Sequence, residues 1–221
     1  MVDDGSTDRT PGILKALAAK YPLRVLTHTP NKGFADTMLD GLRDLAGRSA
    51  DDDLIIALDC DDTHDPEFMP SAIEKSKDGY DVVLMSRFQK GGGESGLSFF
   101  KIFLSHNANY LMRIFFPIRS VKEYSCSYRV YRASALKKTL EVFKDDFIRL
   151  KKWGFVATVE ILVKFKLIGA RMGEVPFFLK YERKQSISKN RAVRSIMGYM
   201  LLILMYAFRR LPKASLLHHE K

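Results

Sequence analysis

One stretch of the sequence constrains the fold more than any other: residues 54–66, which read LIIALDCDDTHDP. An unbroken apolar run ends abruptly in four aspartates, Asp59, Asp61, Asp62 and Asp65. A continuous apolar run of this length favours a strand that is buried on both faces of a parallel sheet. In open α/β sheets, ligands bind just beyond the carboxyl ends of the strands, which is where these carboxylates lie.

The crowded carboxylates need a cation among them, because like charges at this spacing repel one another. Carboxylate oxygens are the ligands that Mg²⁺ and Mn²⁺ prefer. The stretch therefore predicts a divalent metal site. The alternative is an acidic, solvated loop between a strand and a helix.

The composition is that of an ordinary globular protein. The chain has 221 residues, of which 46% are hydrophobic and 28% are charged, so it can bury one sizeable core. Its two cysteines, Cys60 and Cys126, lack CxxC spacing, which argues against a disulfide framework or a zinc site and favours a reducing compartment. The opening MVDDGSTDRT is neither apolar nor basic, so no signal peptide is predicted.

The net charge of +10 is unevenly distributed. Acidic clusters lie mostly in the first 80 residues, whereas from Arg87 onward Lys and Arg dominate and alternate with Phe, Tyr and Leu. This pattern is compatible with nucleic acid, an anionic membrane surface or a phosphorylated substrate. Because no nucleic-acid-binding motif is visible, we expect a membrane and phosphate groups as partners, and no nucleic acid.

Strands and helices alternate along the chain, which predicts a parallel α/β layered sheet. The predicted strands are the end of one at Met1–Asp4, then Arg24–Thr27, Leu54–Leu58, Asp81–Ser86, Tyr128–Tyr131 and Arg171–Leu179. The predicted helices are Ile13–Lys20, Phe34–Ala46, one opened by Pro66, Leu97–Phe116 and Phe155–Leu167. Pro176 indicates an edge position for the last strand. The segment Gln89–Gly96, QKGGGESG, is expected to be a flexible loop suited to cover a site.

The C-terminal segment Ile196–Phe208 is apolar nearly all round. About 13 helical residues span roughly 20 Å, which is short of the ~30 Å hydrocarbon core, so a regular transmembrane helix is not expected. Basic residues flank the segment: Arg191, Arg194, Arg209, Arg210 and Lys213. Two interpretations stay open, a helix in the membrane interface or a helix that packs on the core or on a partner.

Several segments together resemble glycosyltransferase family 2, whose catalytic domain has the GT-A fold and uses nucleotide sugars. In chain order they are VDDGSTDRT, NKG, DCDDTHDPE, MSR followed by a glycine-rich loop, and YSCSYRVYRASAL. KIFLSHNAN and ERKQSISK narrow the resemblance to dolichyl- or polyprenyl-phosphate glycosyltransferases. The resemblance runs from Val2 to about Leu202, nearly the whole chain.

The resemblance implies a fold and a domain layout. We expect a mostly parallel GT-A sheet with helices on both faces, lacking the family's first strand, because Met1–Asp4 reads as the end of the second. A catalytic domain would cover residues 1–180. A basic acceptor-side segment and a membrane-interface helix would cover residues 181–221.

The resemblance also implies roles on the donor side. Asp3, Asp4 and Lys32 match positions that bind the nucleotide sugar. Asp59 and Asp61 match the family's D-x-D, which would bind Mg²⁺ or Mn²⁺ bridging the diphosphate. Such a metal stabilises the negative charge that develops on the leaving nucleoside diphosphate.

On the acceptor side, the resemblance implies a set of cations and hydroxyls around a lipid phosphate, which are the right partners for a phosphate nucleophile. The matching positions are Arg87, Lys101, Ser105, Arg183, Ser188 and Lys189. Arg87 is also expected to act in catalysis together with Asp61 and Glu123.

Some positions depart from the family pattern. Thr63 stands where relatives often carry Gln as a further metal ligand; Thr is a weaker ligand that would act through water. Glu123 stands where many relatives carry an Asp near the sugar, although a phosphate acceptor is already ionised near neutral pH and needs no strong base. Ser127 and Ser186 replace expected glycines, and Lys101 replaces an Arg and so loses its bidentate fork.

The function implied is an inverting transfer of a hexose from a GDP-mannose- or UDP-glucose-type donor to a polyprenyl or dolichyl phosphate. The enzyme would sit at the cytoplasmic face of a membrane, peripheral or anchored in the interface. Alternatives are a family member with a different acceptor and an inactive truncated remnant. A haloacid-dehalogenase-like phosphatase also fits LIIALDCDDT. However, that interpretation leaves VDDGSTDRT unexplained. It also requires a paired acidic motif after a later strand, and Asp145-Asp146 lies in a poorly apolar context.

Overall fold

The computed structural model describes residues 1–184 and 192–207. Its strands are β1 (Val2–Asp3), β2 (Leu26–Thr27), β3 (Leu54–Ala57), β4 (Val82–Ser86), β5 (Gly93–Ser95), β6 (Arg129–Arg132), β7 (Met172–Pro176) and β8 (Phe178–Lys180). Its α-helices are α1 (Thr10–Ala18), α2 (Phe34–Ala46), α3 (Met69–Lys77), α4 (Phe99–Phe115), α5 (Ala133–Phe143), α6 (Val156–Leu167) and α7 (Ala192–Tyr206). Short 3₁₀ turns cover Pro66–Phe68, Lys144–Phe147, Lys151–Trp153 and Tyr181–Arg183.

The central sheet has four strands in the order β3-β6-β4-β7. Strand β6 runs antiparallel to both neighbours, whereas β4 and β7 are parallel. Two small parallel pairs, β1 with β2 and β5 with β8, complete the strands of the described residues. The predicted mostly parallel α/β layering is confirmed, and the edge position expected from Pro176 fits β7, whose partner within these residues is β4.

Two expectations for β3 need correction. Its partner in the described residues is the antiparallel β6, and only Ile55 among its four residues is fully buried. Leu54 and Ile56 lie at the rim of an apolar cluster and are not enclosed by it. The acidic residues thus follow a strand at one edge of the four-stranded sheet, and not a strand in its middle.

The expectation of a flexible loop at Gln89–Gly96 is also wrong. Gly93–Ser95 forms β5, and the glycines are there for close packing. A Cβ on Gly92 would lie 2.5 Å from the carbonyl oxygen of Ser86, and one on Gly93 would lie 2.8 Å from the Phe178 ring. The segment is therefore fixed against β4 and β8.

Helices cover both faces of the central sheet. Strand β4 is buried at all five positions and alternates between two apolar clusters, because side chains point to opposite faces at successive residues. Val82 and Leu84 pack into the larger cluster, with α2, α5 and α6; Val83 and Met85 pack into the smaller one, with α3. This two-sided burial fixes β4 and holds the residue after it, Arg87, at the carboxyl end of the sheet.

Helix α7 packs on the core, which is one of the two alternatives left open by its sequence. Leu202 and Ile203 are buried against the core, and the hydroxyl of Tyr206 donates to Oε1 of Glu160 on α6 at 2.6 Å. The opposite face leaves Met197 and Leu204 exposed. Among the described helices, none is both long and apolar enough to span a membrane.

Candidate active site

The acidic loop, residues 59–65, begins two residues after β3. Asp59 is held at two atoms: its main-chain N–H donates to Nδ1 of His64, and its Oδ1 accepts from the hydroxyl of Ser127, both at 2.9 Å. Its Oδ2 has no hydrogen-bond partner among the described residues. Within the part of the chain that the structure describes, Asp59 therefore keeps one carboxylate oxygen available to a ligand.

Asp61 is bonded at both carboxylate oxygens. Thr63 donates to Oδ1 from its main-chain N–H at 3.2 Å and from its hydroxyl at 2.6 Å, while Nζ of Lys184 forms an ion pair with Oδ2. Burial acts to raise the pKa of Asp61, but the hydrogen bonds from Lys184 and Thr63 outweigh it and hold the pKa below its usual range. Asp61 is thus ionised and has an internal cation beside it.

The other two aspartates of the loop serve its backbone. Asp62 has a positive φ of 65° at the turn. Oδ1 of Asp65 accepts from the main-chain N–H of Glu67 at 3.2 Å and caps the 3₁₀ turn before α3, while Oδ2 pairs with Arg183 at 2.9 Å. Asp62 is therefore a turn residue and Asp65 caps the start of the next helical turn.

The acidic loop is suited to a shared metal ion. No group of three or more His, Cys, Asp or Glu side chains within residues 1–184 and 192–207 is arranged to hold a metal. Mg²⁺ is commonly held by only one or two carboxylates together with substrate phosphates. Asp59 and Asp61 supply hard oxygen donors of that kind, so the residues present fit a metal completed by a phosphate-bearing ligand.

The predicted nucleotide-sugar residues gather at the carboxyl ends of β1 and β2. Oδ1 of Asp3 accepts from the main-chain N–H of Ser6 at 3.0 Å. Asp4 accepts from the main-chain N–H groups of Lys32 and Gly33, each at 2.8 Å. Both aspartates thus organise turns, and their contact with a nucleotide stays a prediction.

A second charged cluster, which we call the arginine cluster, lies past the end of β4. Arg87 donates to Glu123 through Nε at 2.7 Å and Nη2 at 3.0 Å, and to Glu94 through Nη1 at 2.6 Å. The hydroxyls of Ser105 and Ser125 accept from Nη2 at 3.1 and 3.2 Å. The five residues come from four segments of the chain, since Glu123 and Ser125 share one, and the two carboxylates and the guanidinium are each at most 8% exposed.

Burial and pairing act in opposite directions on this cluster. Burial would lower the pKa of Arg87 and raise the pKa of Glu123, but their mutual attraction and hydrogen bonds reverse both effects. The pKa of Arg87 is raised and that of Glu123 is lowered, so both are ionised. With Glu94, two carboxylates already face the guanidinium that was predicted to meet a lipid phosphate.

Of the remaining acceptor-side residues, Arg183 belongs to the basic segment, Lys180–Lys184, and Lys101 contacts it. Lys101 and Ser105 lie four residues apart on α4 and hence on one face. Nζ of Lys101 lies 4.9 Å from the centre of the Tyr181 ring. Two further predicted positions, Ser188 and Lys189, fall outside the described residues.

Besides Ser125 of the arginine cluster, sequence reasoning missed four residues of the site. Glu94 was read as part of a loop, Lys184 was passed over beside Arg183, and Ser127 was noted only as an unexpected residue at a glycine position. His64 lies inside the DCDDTHDPE segment but has no partner that the sequence reveals. Only Lys184 had a signal, since it belongs to the same basic run as Arg183.

Fold and site together define a class of protein. A mixed α/β sheet carries a D-x-D pair beyond one strand, with a cationic segment directly across from it. This is the arrangement of a GT-A fold protein.

The chain belongs to glycosyl transferase family 2: residues 1–140 match that family. This confirms the resemblance found in the sequence and sets aside the phosphatase reading of LIIALDCDDT. The fold is shared with the crystal structure of glucosyl-3-phosphoglycerate synthase from Mycobacterium tuberculosis in complex with phosphoglyceric acid, at a TM-score of 0.53 and 15% identity. That likeness covers 90% of this chain and 66% of the other, and shows the fold alone.

Curated relatives share longer stretches of sequence. The chain is 34% identical over 178 residues to a dolichol-phosphate mannosyltransferase of Pyrococcus furiosus, covering 80% of this chain and 46% of the relative. It is 32% identical over 168 residues to an undecaprenyl-phosphate 4-deoxy-4-formamido-L-arabinose transferase of Edwardsiella ictaluri, covering 74% and 48%. It is 29% identical over 188 residues to an undecaprenyl-phosphate mannosyltransferase of Micrococcus luteus, covering 84% and 73%. The chain thus spans about half the length of the first two relatives.

Proposed function

We propose that this chain is a glycosyltransferase that moves a hexose from a nucleotide diphosphate sugar to a polyprenyl or dolichyl phosphate, with inversion. A phosphate oxygen of the lipid would attack the anomeric carbon as the bond from that carbon to the diphosphate breaks. Family membership and the names of the three relatives support the reaction class. The observation that carries the proposal is the D-x-D pair facing the basic segment through the Lys184–Asp61 contact.

Asp59 and Asp61 would hold Mg²⁺ or Mn²⁺ together with the diphosphate. The metal supplies positive charge next to the departing nucleoside diphosphate. The Oδ2 of Asp59, which has no hydrogen-bond partner within residues 1–184 and 192–207, and the ionised carboxylate of Asp61 support this assignment. Thr63, whose hydroxyl donates to Asp61, would serve the metal mainly by orienting that carboxylate.

The acceptor phosphate would be bound by the basic segment and the nearby face of α4. Lys101, Ser105 and Arg183 are the described residues in this set, with Ser188 and Lys189 following them in the chain. Arg87 would be held toward the phosphate by Glu123, whose lowered pKa suits a fixed counter-charge better than a proton acceptor. No base is needed, because the acceptor phosphate is already ionised.

An apolar surface supports membrane docking. On α4, Phe99, Phe100 and Phe103 are 83%, 64% and 53% exposed. On α7, which contacts α4, Met197 and Leu204 are also exposed. Exposed apolar side chains next to basic ones suit the membrane interface, so we propose that this surface docks on the cytoplasmic face, with residues 1–180 as the catalytic domain and 181–221 as the acceptor-side and interface segment.

The reaction is tested by incubating the chain with labelled GDP-mannose or UDP-glucose, Mn²⁺, and undecaprenyl or dolichyl phosphate. We expect label in the lipid fraction with at least one combination, and at least a 100-fold loss in Asp61→Ala. Asp52→Ala, at an exposed position outside the acidic loop, is the matched control and should behave as wild type. Transfer only to a non-lipid acceptor would favour a family member with a different acceptor. Equal turnover by wild type and Asp61→Ala would remove the metal assignment.

Membrane docking is tested separately by co-sedimentation with anionic vesicles. We expect the triple change of Phe99, Phe100 and Phe103 to Ser to weaken binding at least tenfold, since each exposed ring loses about 1.5–3 kcal/mol of burial. The control changes exposed apolar residues on another surface, Ile13 and Tyr21, to Ser. Equal losses in both variants would contradict a localised docking surface.

A further inference from the structure

Asp59 is fixed by two residues that the proposed function leaves without a role. The Nδ1 atom of His64 accepts the main-chain N–H of Asp59 at 2.9 Å. The hydroxyl of Ser127 donates to Oδ1 of the same residue at 2.9 Å. One partner therefore holds the backbone of Asp59 and the other holds its carboxylate.

The imidazole of His64 is itself held rigidly. It is 7% exposed, stacks on the ring of Tyr128 with centroids 5.0 Å apart, and meets the edge of Phe177 at 5.7 Å. Its Nε2 lies 3.9 Å from Sγ of Cys126. Because Nδ1 accepts an amide proton, the ring proton of the neutral imidazole lies on Nε2 and points toward that sulfur. The packing thus selects both the orientation of the ring and the tautomer that can accept from Asp59.

Ser127 reaches Asp59 because of the strand register. In the antiparallel pair β3–β6, Ala57 lies opposite Arg129. Two residues beyond this pair, Asp59 follows the end of β3 and Ser127 precedes the start of β6, so they continue the same register and face each other. Ser127 is buried, so its hydroxyl is confined to this neighbourhood. A glycine or alanine at this position would leave the Asp59 carboxylate free to rotate.

We propose that His64 and Ser127 are positioning residues that set the metal and diphosphate affinity of the site through Asp59. They fix its amide and one carboxylate oxygen, so that Oδ2 would be the oxygen left to serve as a metal ligand. Partners that orient metal ligands from behind typically change metal affinity by about 10–100-fold when they are removed. This inference rests on the proposed role of Asp59 as a metal ligand.

Two substitutions at His64 separate hydrogen bonding from packing. His64→Phe keeps a ring between Tyr128 and Phe177 but removes the acceptor. His64→Asn loses the ring but retains an acceptor oxygen near the position of Nδ1. Ser127→Ala removes the second hydrogen bond independently and keeps the test decisive if a His64 variant fails to fold.

The first readout is the binding of Mn²⁺, followed by electron paramagnetic resonance with GDP or UDP present. We expect affinity about tenfold weaker or more in His64→Phe and in Ser127→Ala, and within about threefold of wild type in His64→Asn. The second readout needs no metal: the exchange rate of the Asp59 amide proton, measured by NMR, should rise at least tenfold in His64→Phe and not in Ser127→Ala.

The outcomes distinguish the two proposals. If wild type fails to bind Mn²⁺ both with GDP and with UDP, the proposed metal site fails, and with it this role for the two residues. If wild type binds Mn²⁺ and both His64→Phe and Ser127→Ala bind it equally well, this inference fails while the proposed function stands. An unchanged Asp59 amide exchange rate in His64→Phe would also overturn it.

Discussion

The acidic loop and the arginine cluster lie at the ends of β3 and β4, on the same edge of the sheet, yet they balance their charges differently. In the acidic loop, carboxylates are partly exposed, Asp59 keeps an oxygen without a partner in the described residues, and the countercharge on Asp61 comes from one lysine of the basic segment. In the arginine cluster, Arg87 is enclosed with two carboxylates and two hydroxyls, and every one of these groups is used.

The difference separates a site built to exchange partners from one built to keep them. A buried ion pair whose members are fully hydrogen-bonded is costly to break, since removal of one partner leaves an uncompensated charge. An ion pair at the surface contributes little and is easily replaced. A metal ion can therefore displace Lys184 from Asp61 far more readily than a phosphate can displace Glu123 from Arg87.

The strongest test of this contrast removes Arg87. Arg87→Ala leaves Glu123, which is fully buried, without its main countercharge, and we expect a loss of about 3–5 kcal/mol in the free energy of unfolding. Urea unfolding followed by circular dichroism measures it. Arg24→Ala, which breaks the exposed pair with Asp44, is the control and should cost less than about 1 kcal/mol. A loss for Arg87→Ala no larger than that of the control would erase the distinction between the two clusters.

The acidic loop should respond in the opposite way. Asp61→Asn keeps an acceptor for Thr63 but removes the charge, and we expect transfer to the lipid phosphate to fall about 100-fold or more. The free energy of unfolding should change by less than about 1 kcal/mol, because the Lys184 pair is partly exposed. Both quantities are measured on one preparation. A large loss of stability without loss of transfer would reverse the roles assigned here.

The dependence of stability on pH sharpens the comparison further. The pKa of Glu123 is lower in the folded chain than its ordinary value of about 4.3. The folded state then binds fewer protons than the unfolded state, so this contribution is complete above that ordinary value and is lost as pH falls below it toward the folded pKa. Between about pH 5 and about pH 3, a range that includes the ordinary glutamate pKa of about 4.3, we expect the unfolding free energy of wild type to fall more steeply than that of Glu123→Gln. Parallel curves would show that Glu123 is not paired in solution.

The smallest expected effect concerns the internal cation of the acidic loop. Lys184→Gln removes the ammonium that competes with a metal for Asp61, so Mn²⁺ should bind about two- to fivefold more tightly in the absence of nucleotide, the worth of one surface ion pair. Isothermal titration calorimetry measures the affinity. Lys77→Gln, which breaks an exposed pair with Glu74, should leave it unchanged. Weaker binding in Lys184→Gln would mean that this lysine assists the metal.

The sequence was informative where function lies in consecutive residues. Helix α2 was predicted with its observed bounds, because its apolar residues repeat at helical spacing, and the acidic loop was visible as one run. In the arginine cluster, Arg87, Ser105 and Glu123 are predicted from the family resemblance, whereas Glu94 and Ser125 are not, because they reach the cluster by tertiary packing. Strand β5 was missed because glycines that allow close backbone approach look the same, in sequence, as glycines of a loop.

Side-chain partners that depend on register were equally hidden. Ser127 meets Asp59 only because β3 and β6 pair with one particular register, and His64 meets it only because two aromatic rings fix the imidazole. Whether α7 packs on the core or lies in a membrane interface stays open in the sequence for a related reason. Its sequence is apolar on every side, so the pattern alone does not say which face the core will cover.

The most direct measurement is the position of Mn²⁺ in crystals soaked with MnCl₂ and GDP or UDP, located by anomalous scattering. We predict one strong peak in contact with carboxylate oxygens of Asp59 and Asp61, with Lys184 withdrawn from Asp61 and the arginine cluster unchanged. A peak elsewhere, or a bound nucleotide with Lys184 still paired to Asp61 and no metal beside it, would contradict the account.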